Sequence, residues 1–189
     1  MSFSSDVKNE LLAQKNSNTC CNAAELSAIL HTAGSINISH EGLCAEISTD
    51  NVRFAGRILF LFKKLFNINA QIVSQKKSTL DKRLFYKILA CPDAEQILSE
   101  LGIISLDKDN HRQIAQGIDK YITEQNCCKK SYLKGAFLAG GSITVPSEKE
   151  SGYNLSLYFS GGKMAEDIAK LLEHFNIKAK TAQRKNSYV

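Results

Sequence analysis

Apolar residues recur at i, i+3, i+4 and i+7 in two well-separated stretches of the chain. Ile58, Leu61, Phe62 and Leu65 form one stripe, and Ile168, Leu171, Leu172 and Phe175 form the other. This spacing puts all four side chains on one face of an amphipathic helix. The pattern around the first stripe predicts its neighbours. Ser5 is placed to cap a short helix over residues 6–14, with Asp6 well set against the helix dipole. A helix over 23–33 stops at Gly34. Alternation over 35–39 and 43–49, joined through Glu41-Gly42, predicts a hairpin. The stripe helix covers 52–66. Strands over 69–75 and 84–90 flank the polar, basic turn KKSTLDKR. Pro92 then starts a helix that runs to Leu101 and ends at Gly102. The resulting order is α-β-β-α-β-β-α.

The same order begins again after a connecting segment, residues 103–126, that carries a predicted helix over 112–124. Residues 20–36 read CCNAAELSAILHTAGSI and residues 127–143 read CCKKSYLKGAFLAGGSI, an offset of 107. A helix over 130–140 and strands over 143–145 and 153–159 repeat the first helix and hairpin. Phe66-Asn67-Ile68 recurs as Phe175-Asn176-Ile177, and Gln75-Lys76-Lys77 recurs as Gln183-Arg184-Lys185. Self-similarity of this kind marks a duplicated unit. The chain divides into a lead-in (1–19), a first repeat (20–102), the connector (103–126) and a second repeat (127–189). In that second repeat, residues 186–189 open only the turn into a last strand, so the strand and closing helix are expected to be absent and the chain to be part of a longer protein.

Composition excludes several classes. With 189 residues, 43% of them hydrophobic, and two prolines, the chain can build a real core and is not disordered. It has no signal-like leader and no apolar run near the roughly 18–20 residues a membrane span needs, so the expectation is a cytoplasmic protein with no membrane partner. The net charge of +5 is unevenly spread: −4 over residues 1–50, +8 over 51–90, −4 over 91–126 and +5 over 127–189. The two basic blocks occupy equivalent parts of the repeats, an electrostatic footprint for a polyanion. Lys76, Lys77, Lys82 and Arg83 surround the first strand pair, with Arg184 and Lys185 matching them in the second. They are candidate phosphate contacts, the alternative being solvated hairpin turns.

The six cysteines show no C-x2-C spacing and no cysteine–histidine array. Adjacent cysteines make a poor tetrahedral clamp. Small buried thiols are therefore expected where each repeat helix enters the core, with no metal and no cofactor.

The repeat helices carry small residues four apart, Gly135 and Ala139 in one and Ala28 and Thr32 in the other. Small residues at this spacing let two backbones cross closely, so these four are candidates for an interface between the halves. The segments 26–34 and 133–141, LSAILHTAG and LKGAFLAGG, resemble the LAGLIDADG motif of homing endonucleases. The opening MSFSSDVKNEL, the paired Cys-Cys motifs, AELSAILHTAGSI and YLKGAFLAGGSI together resemble the WhiA family, and this resemblance covers nearly the whole chain.

That resemblance implies an α+β fold of two pseudo-symmetric α-β-β-α-β-β-α repeats, the second truncated, whose sheets form a saddle on double-stranded DNA. It also implies a bacterial transcription regulator of sporulation, cell division and chromosome segregation, associated with the nucleoid. A helix-turn-helix domain beyond this sequence would supply most base readout. Two alternatives stand beside DNA binding: a protein-interaction module that holds an acidic partner of the transcription or division machinery and positions that domain, and a residual homing endonuclease. In the nucleases, the carboxylate at the eighth motif position binds the divalent metal that activates water. Here those positions are Ala33 and Gly140, neither of which offers an oxygen ligand. The sixth positions, His31 and Leu138, do not compensate, and the nearest later carboxylates are Glu41 and Glu148. The implied module is not an enzyme. His31, lacking an obvious base or ligand partner, is expected to be a hydrogen-bonded interface histidine.

Overall fold

Each half of the chain begins with a long helix that passes directly into a strand. The computed structural model describes residues 2–14, 17–39, 42–76, 84–91, 93–146, 152–185 and 187–189. A lead-in helix, α1 (Phe3–Ala13), precedes the first half, which comprises α2 (Thr19–Ala33), β1 (Gly34–Ser39), β2 (Gly42–Thr49), α3 (Val52–Phe66), β3 (Gln71–Lys76), β4 (Leu84–Ala90) and α4 (Ala94–Glu100). A short hairpin follows, β5 (Ile104–Leu106) and β6 (Arg112–Ile114). The second half comprises α5 (Asn126–Gly140), β7 (Gly141–Thr144), β8 (Asn154–Leu157), α6 (Gly162–His174), β9 (Gln183–Arg184) and β10 (Ser187–Tyr188).

The first sheet is antiparallel, in the order β1-β2-β4-β3. The second half repeats that order in reduced form. β7 pairs with β8, β9 pairs with β10, and a bridge between Phe159 and Tyr188 links the two pairs. Residues 187–188 are therefore already the start of the last strand, which corrects the expectation that this strand is absent.

Both stripe helices bury the faces their periodicity predicts. Ile58, Leu61 and Phe62 enter one core, and Ile168 and Leu171 enter a second. Asn51 caps α3 by accepting from the Arg53 and Phe54 amides at 2.9 and 3.2 Å. The recurring Phe-Asn-Ile has a structural reason, because Asn67 and Asn176 both adopt left-handed backbone (φ 57° and 59°), the conformation that ends a helix and that asparagine tolerates.

Several boundaries differ from the sequence-based expectation. Ser2, not Ser5, caps α1; its hydroxyl accepts the Ser5 amide at 3.3 Å. The helix expected over 112–124 does not form. Asp107 Oδ1 accepts the Asp109 and His111 amides and closes the β5–β6 turn, and Asp119 Oδ1 accepts the Tyr121 amide. Aspartate side chains here compete with the helix for backbone donors. Most consequentially, α2 and α5 start at Thr19 and Asn126, about one turn before the predicted starts. That turn contains all four paired cysteines. Cys44 and Cys91, which carry no pairing signal in their spacing, are joined by a disulfide, because the β2–β4 register sets Ala45 opposite Ala90 beside them.

The halves meet along α2 and α5, the most extensive contact between any two elements. α2 is buried almost all round: Leu26, Ile29 and Leu30 face the first core, while Cys21, Ala24 and Ala28 face the second. A Cβ on Gly135 would lie 2.4 Å from the Glu25 carbonyl oxygen and 2.9 Å from the Ala28 methyl. Across the same contact, Glu25 is fully buried and takes two hydrogen bonds from Arg57 of α3, both 2.8 Å, with Lys134 of α5 at 3.3 Å. Arg57 also donates to Asn22 at 3.1 Å. One carboxylate thus ties three helices from both halves.

Two stability predictions follow from this crossing. Gly135→Ala gains about 1 kcal/mol of helix propensity but loses about 1–3 kcal/mol to overpacking against a carbonyl that cannot yield, so urea unfolding should show a net loss. Glu25→Ala leaves Arg57 and Lys134 without a counter-charge and should cost about 3–5 kcal/mol in the same assay, with Glu25→Ala/Arg57→Met recovering part of it.

Candidate nucleic-acid interface and helix-pair site

The chemistry-bearing positions fall at three places along the α2–α5 pair: its C-terminal end, its middle and its N-terminal end. At the C-terminal end stand Ala33 and Gly140. A Cβ on Gly140 would lie 2.6 Å from Thr32 Cγ2 and 2.8 Å from the Tyr158 carbonyl oxygen. Position 140 therefore has no room for a side chain of any kind, and the half-buried methyl of Ala33 offers no ligand. Glu41 and Glu148 lie outside the described residues. Of the four interface candidates, Ala28 lies against Gly135, Thr32 lies against Gly140, and Ala139 packs beside the first core.

Just before that end, His31 Nδ1 shares a hydrogen bond of 2.8 Å with the Tyr132 hydroxyl of α5. Burial holds the His31 pKa down at about 4 and pushes that of Tyr132 well up. His31 Nε2 and Thr32 Oγ1 are buried without a hydrogen-bond partner among the described residues. Beside His31 opens a cleft of about 640 Å3, bounded by Gly34, Ile36, Ser160 and Lys163.

The outward face of the first sheet is mixed. Ala45, Ile47 and Ile88 are buried, so alternation sends Ser35, Asn37, Glu46, Ser48 and Lys87 to the opposite face, together with Val73, Phe85 and Leu89 of β3 and β4. Glu46 is at the centre of this row. It accepts from Asn37 and pairs with Lys87 at 2.9 Å. Ser142 opposite Ser156, and Thr144 opposite Asn154, continue the polar character in the second half. Tyr188 packs into the second core, so its neighbour Ser187 and the Ser187 partner Arg184 take the outer face. Arg184 and Lys185 are both exposed. Lys76 is the last residue of β3, in register with Leu84; Lys77, Lys82 and Arg83 lie outside the described residues. The Glu46–Lys87 pair escaped the sequence reading, although Glu46 between Ala45 and Ile47 in an alternating strand already marked an outward charge.

At the N-terminal end, the paired cysteines of the two repeats converge. The Sγ atoms of Cys20, Cys21, Cys127 and Cys128 all lie within 4.8 Å of one another. Cys20 and Cys127 are exposed, while Cys21 and Cys128 are buried. Gln125 Oε1 accepts from the thiols of Cys127 and Cys20, at 3.4 and 3.9 Å. A hydrogen bond with Cys21 lowers the Cys127 pKa, whereas burial raises those of Cys21 and Cys128. The signal lay in the repeat: both pairs occupy the same place in duplicated helices.

Two sheet-bearing halves joined through a close helix pair that runs into the first strand of each define a LAGLIDADG-like α+β protein. The family model "WhiA N-terminal LAGLIDADG-like domain" matches residues 19–104, and "WhiA LAGLIDADG-like domain" matches residues 129–189. The chain belongs to the WhiA family. It is 36% identical to "Probable cell division protein WhiA" of Bacillus cytotoxicus and, likewise at 36%, to that of Oceanobacillus iheyensis, over all of this chain and 58% of each relative. The chain thus spans little more than half the length of these relatives.

Among solved structures, it resembles the N-terminal LAGLIDADG domain of DUF199/WhiA at 22% identity and a TM-score of 0.68, covering 99% of this chain and 81% of the other. It resembles the homing endonuclease I-DmoI in complex with DNA and Mn at 12% identity and a TM-score of 0.58, covering 90% and 88%. Both likenesses show the fold. No helix among the described residues is long and apolar enough to cross a membrane.

The buried His31 generates a pH prediction. It is neutral in the fold with a pKa near 4, below its unfolded value of about 6.5. Its contribution is complete above about pH 6.5 and is lost as pH falls through that value toward 4, up to about 3 kcal/mol in all. Urea unfolding from pH 7.5 to 4 should show this fall in excess of that of His31→Gln, which keeps a hydrogen-bonding group without the titration.

Proposed function

We propose that this chain is a DNA-binding module of a WhiA-type cell-division regulator that does not cleave its DNA. The observation that carries the reading is the outward face of the sheets, with serines, Asn37 and Lys87 on it and Arg184 and Lys185 exposed at the edge of the second half. In the sequence, Lys76 ends β3 and Lys77, Lys82 and Arg83 come between it and β4, while Arg184 ends β9 and Lys185 follows it. Cations so placed contact phosphates and fix orientation without reading sequence. Glu46 is buried and both its oxygens are engaged, by Asn37 and Lys87, so it orders this face without adding a free negative charge that would repel a phosphate.

The absence of cleavage rests on the C-terminal end of the helix pair. Metal-assisted phosphodiester hydrolysis needs hard oxygen ligands beside the scissile phosphate. Ala33 gives none, and at Gly140 the space for one is filled by Thr32 and Tyr158. The name of the relatives points to a role in cell division, and a helix-turn-helix elsewhere in the whole protein would supply the base readout. These features suit a soluble, nucleoid-bound protein of the cytoplasm.

Fluorescence anisotropy with duplex DNA tests the reading. Six phosphate contacts give a slope of log K against log [salt] of about −5, which is about a thousandfold weakening between 50 and 200 mM salt. Replacing Lys76, Lys77, Arg184 and Lys185 by Glu should reduce that slope by about 3–4 and weaken binding more than tenfold, with duplex intact after incubation in Mg2+. Binding indifferent to these reversals, or Mg2+-dependent nicking that survives purification, overturns it.

A further inference from the structure

We propose that Cys20, Cys21, Cys127 and Cys128 form a tetrathiolate site for one Zn2+ ion, clasping the starts of α2 and α5. The four sulfurs lie within 4.8 Å of one another. A tetrahedral ion with Zn–S bonds of about 2.3 Å needs sulfurs about 3.8 Å apart, so closing the site takes only a small contraction. An iron–sulfur cluster places its own irons and sulfides between the thiolates and needs them more widely spread. A ligand set of sulfur alone selects a soft or borderline ion over Mg2+ or Ca2+.

Neighbours in sequence can share one ion here because of where they sit. Each pair occupies the first turn of its helix, Cys20 and Cys21 after Thr19 and Cys127 and Cys128 after Asn126. Successive side chains on a helix diverge by about 100°, so one cysteine of each pair is exposed and the other buried, gripping the ion from two sides. The exposed pair also gives the ion a way in from solvent.

Binding exchanges four S–H protons, released to solvent, for four Zn–S bonds and leaves a site of charge −2. Two helix N-termini, each equivalent to about half a positive charge, point at it. Gln125, which now accepts from two thiols, then turns its amide so that the NH2 group donates to thiolate sulfur, a conserved-geometry role for an outer partner of a metal ligand. Two ligands come from each repeat, so the ion staples the halves at the end of the helix pair opposite Gly140.

The site is independent of the DNA reading, since metal content is measured without nucleic acid. Protein purified with zinc and a non-thiol reductant should hold about one Zn2+ per chain by plasma mass spectrometry. Cys20→Ser/Cys127→Ser, which alters only the exposed ligands, should lose most of it and lower Tm by about 5–10 °C. On the metal-stripped wild type, Co2+ should raise the intense near-ultraviolet sulfur-to-cobalt absorption and visible bands of a tetrahedral thiolate site, both absent in the double variant. Equal zinc in the two proteins, or a wild type whose four cysteines stay freely reactive toward a thiol reagent with zinc present, overturns the proposal.

Discussion

Two helices can approach backbone to backbone only where one of them gives up a side chain, and the halves of this protein meet on such terms. At Gly135 the neighbouring strand of atoms is the main chain of α2 itself, with the Glu25 carbonyl oxygen 2.4 Å from where a Cβ would be. Close approach has an electrostatic corollary. It brings the Glu25 carboxylate within reach of Arg57 on its own side and Lys134 on the other. A buried carboxylate is costly to desolvate, and only a bidentate guanidinium plus a second cation offsets that cost. Packing and charge are thus specified at one crossing, and both sheets take their positions from it.

The same pair of helices changes character along its length. At one end the sulfurs of four cysteines converge; in the middle lies the ion-pair network; at the other end Thr32 and Tyr158 fill the space beside Gly140. A carboxylate at that last end would face the negative pole of the helix dipole and would need a cation to hold it. Small residues there satisfy the packing without that requirement. The outward face of the first sheet is built differently, from serines, Asn37, the clasped Glu46–Lys87 pair and the apolar Val73, Phe85 and Leu89.

Much of this was legible in the sequence because duplication wrote it twice. The apolar stripes placed α3 and α6, the Phe-Asn-Ile repeats coincide with left-handed helix ends, and the glycine-lined segments named the central pair. His31 meets its expected kind of partner, in Tyr132. What escaped was non-local. The helices start at Thr19 and Asn126, a turn earlier than their pattern predicts, and with the later starts the cysteine pairs read only as small thiols where each repeat helix enters the core. A tetrad built from residues 107 apart has no spacing signature of its own. Asp107 and Asp119 defeated the helix expected in the connector by taking backbone donors for turns, a competition that periodicity does not register. The Cys44–Cys91 link required the strand register, which the pattern of a single strand cannot supply.

The burial of α2 on both flanks has a mechanical meaning. One flank of the helix completes the first core and the other completes the second, so neither half possesses an interior it could keep alone. A hinge between them would have to strip solvent-averse surface from both at once. The two sheets consequently share one spine, and neither can be displaced from the other without exposing both interiors.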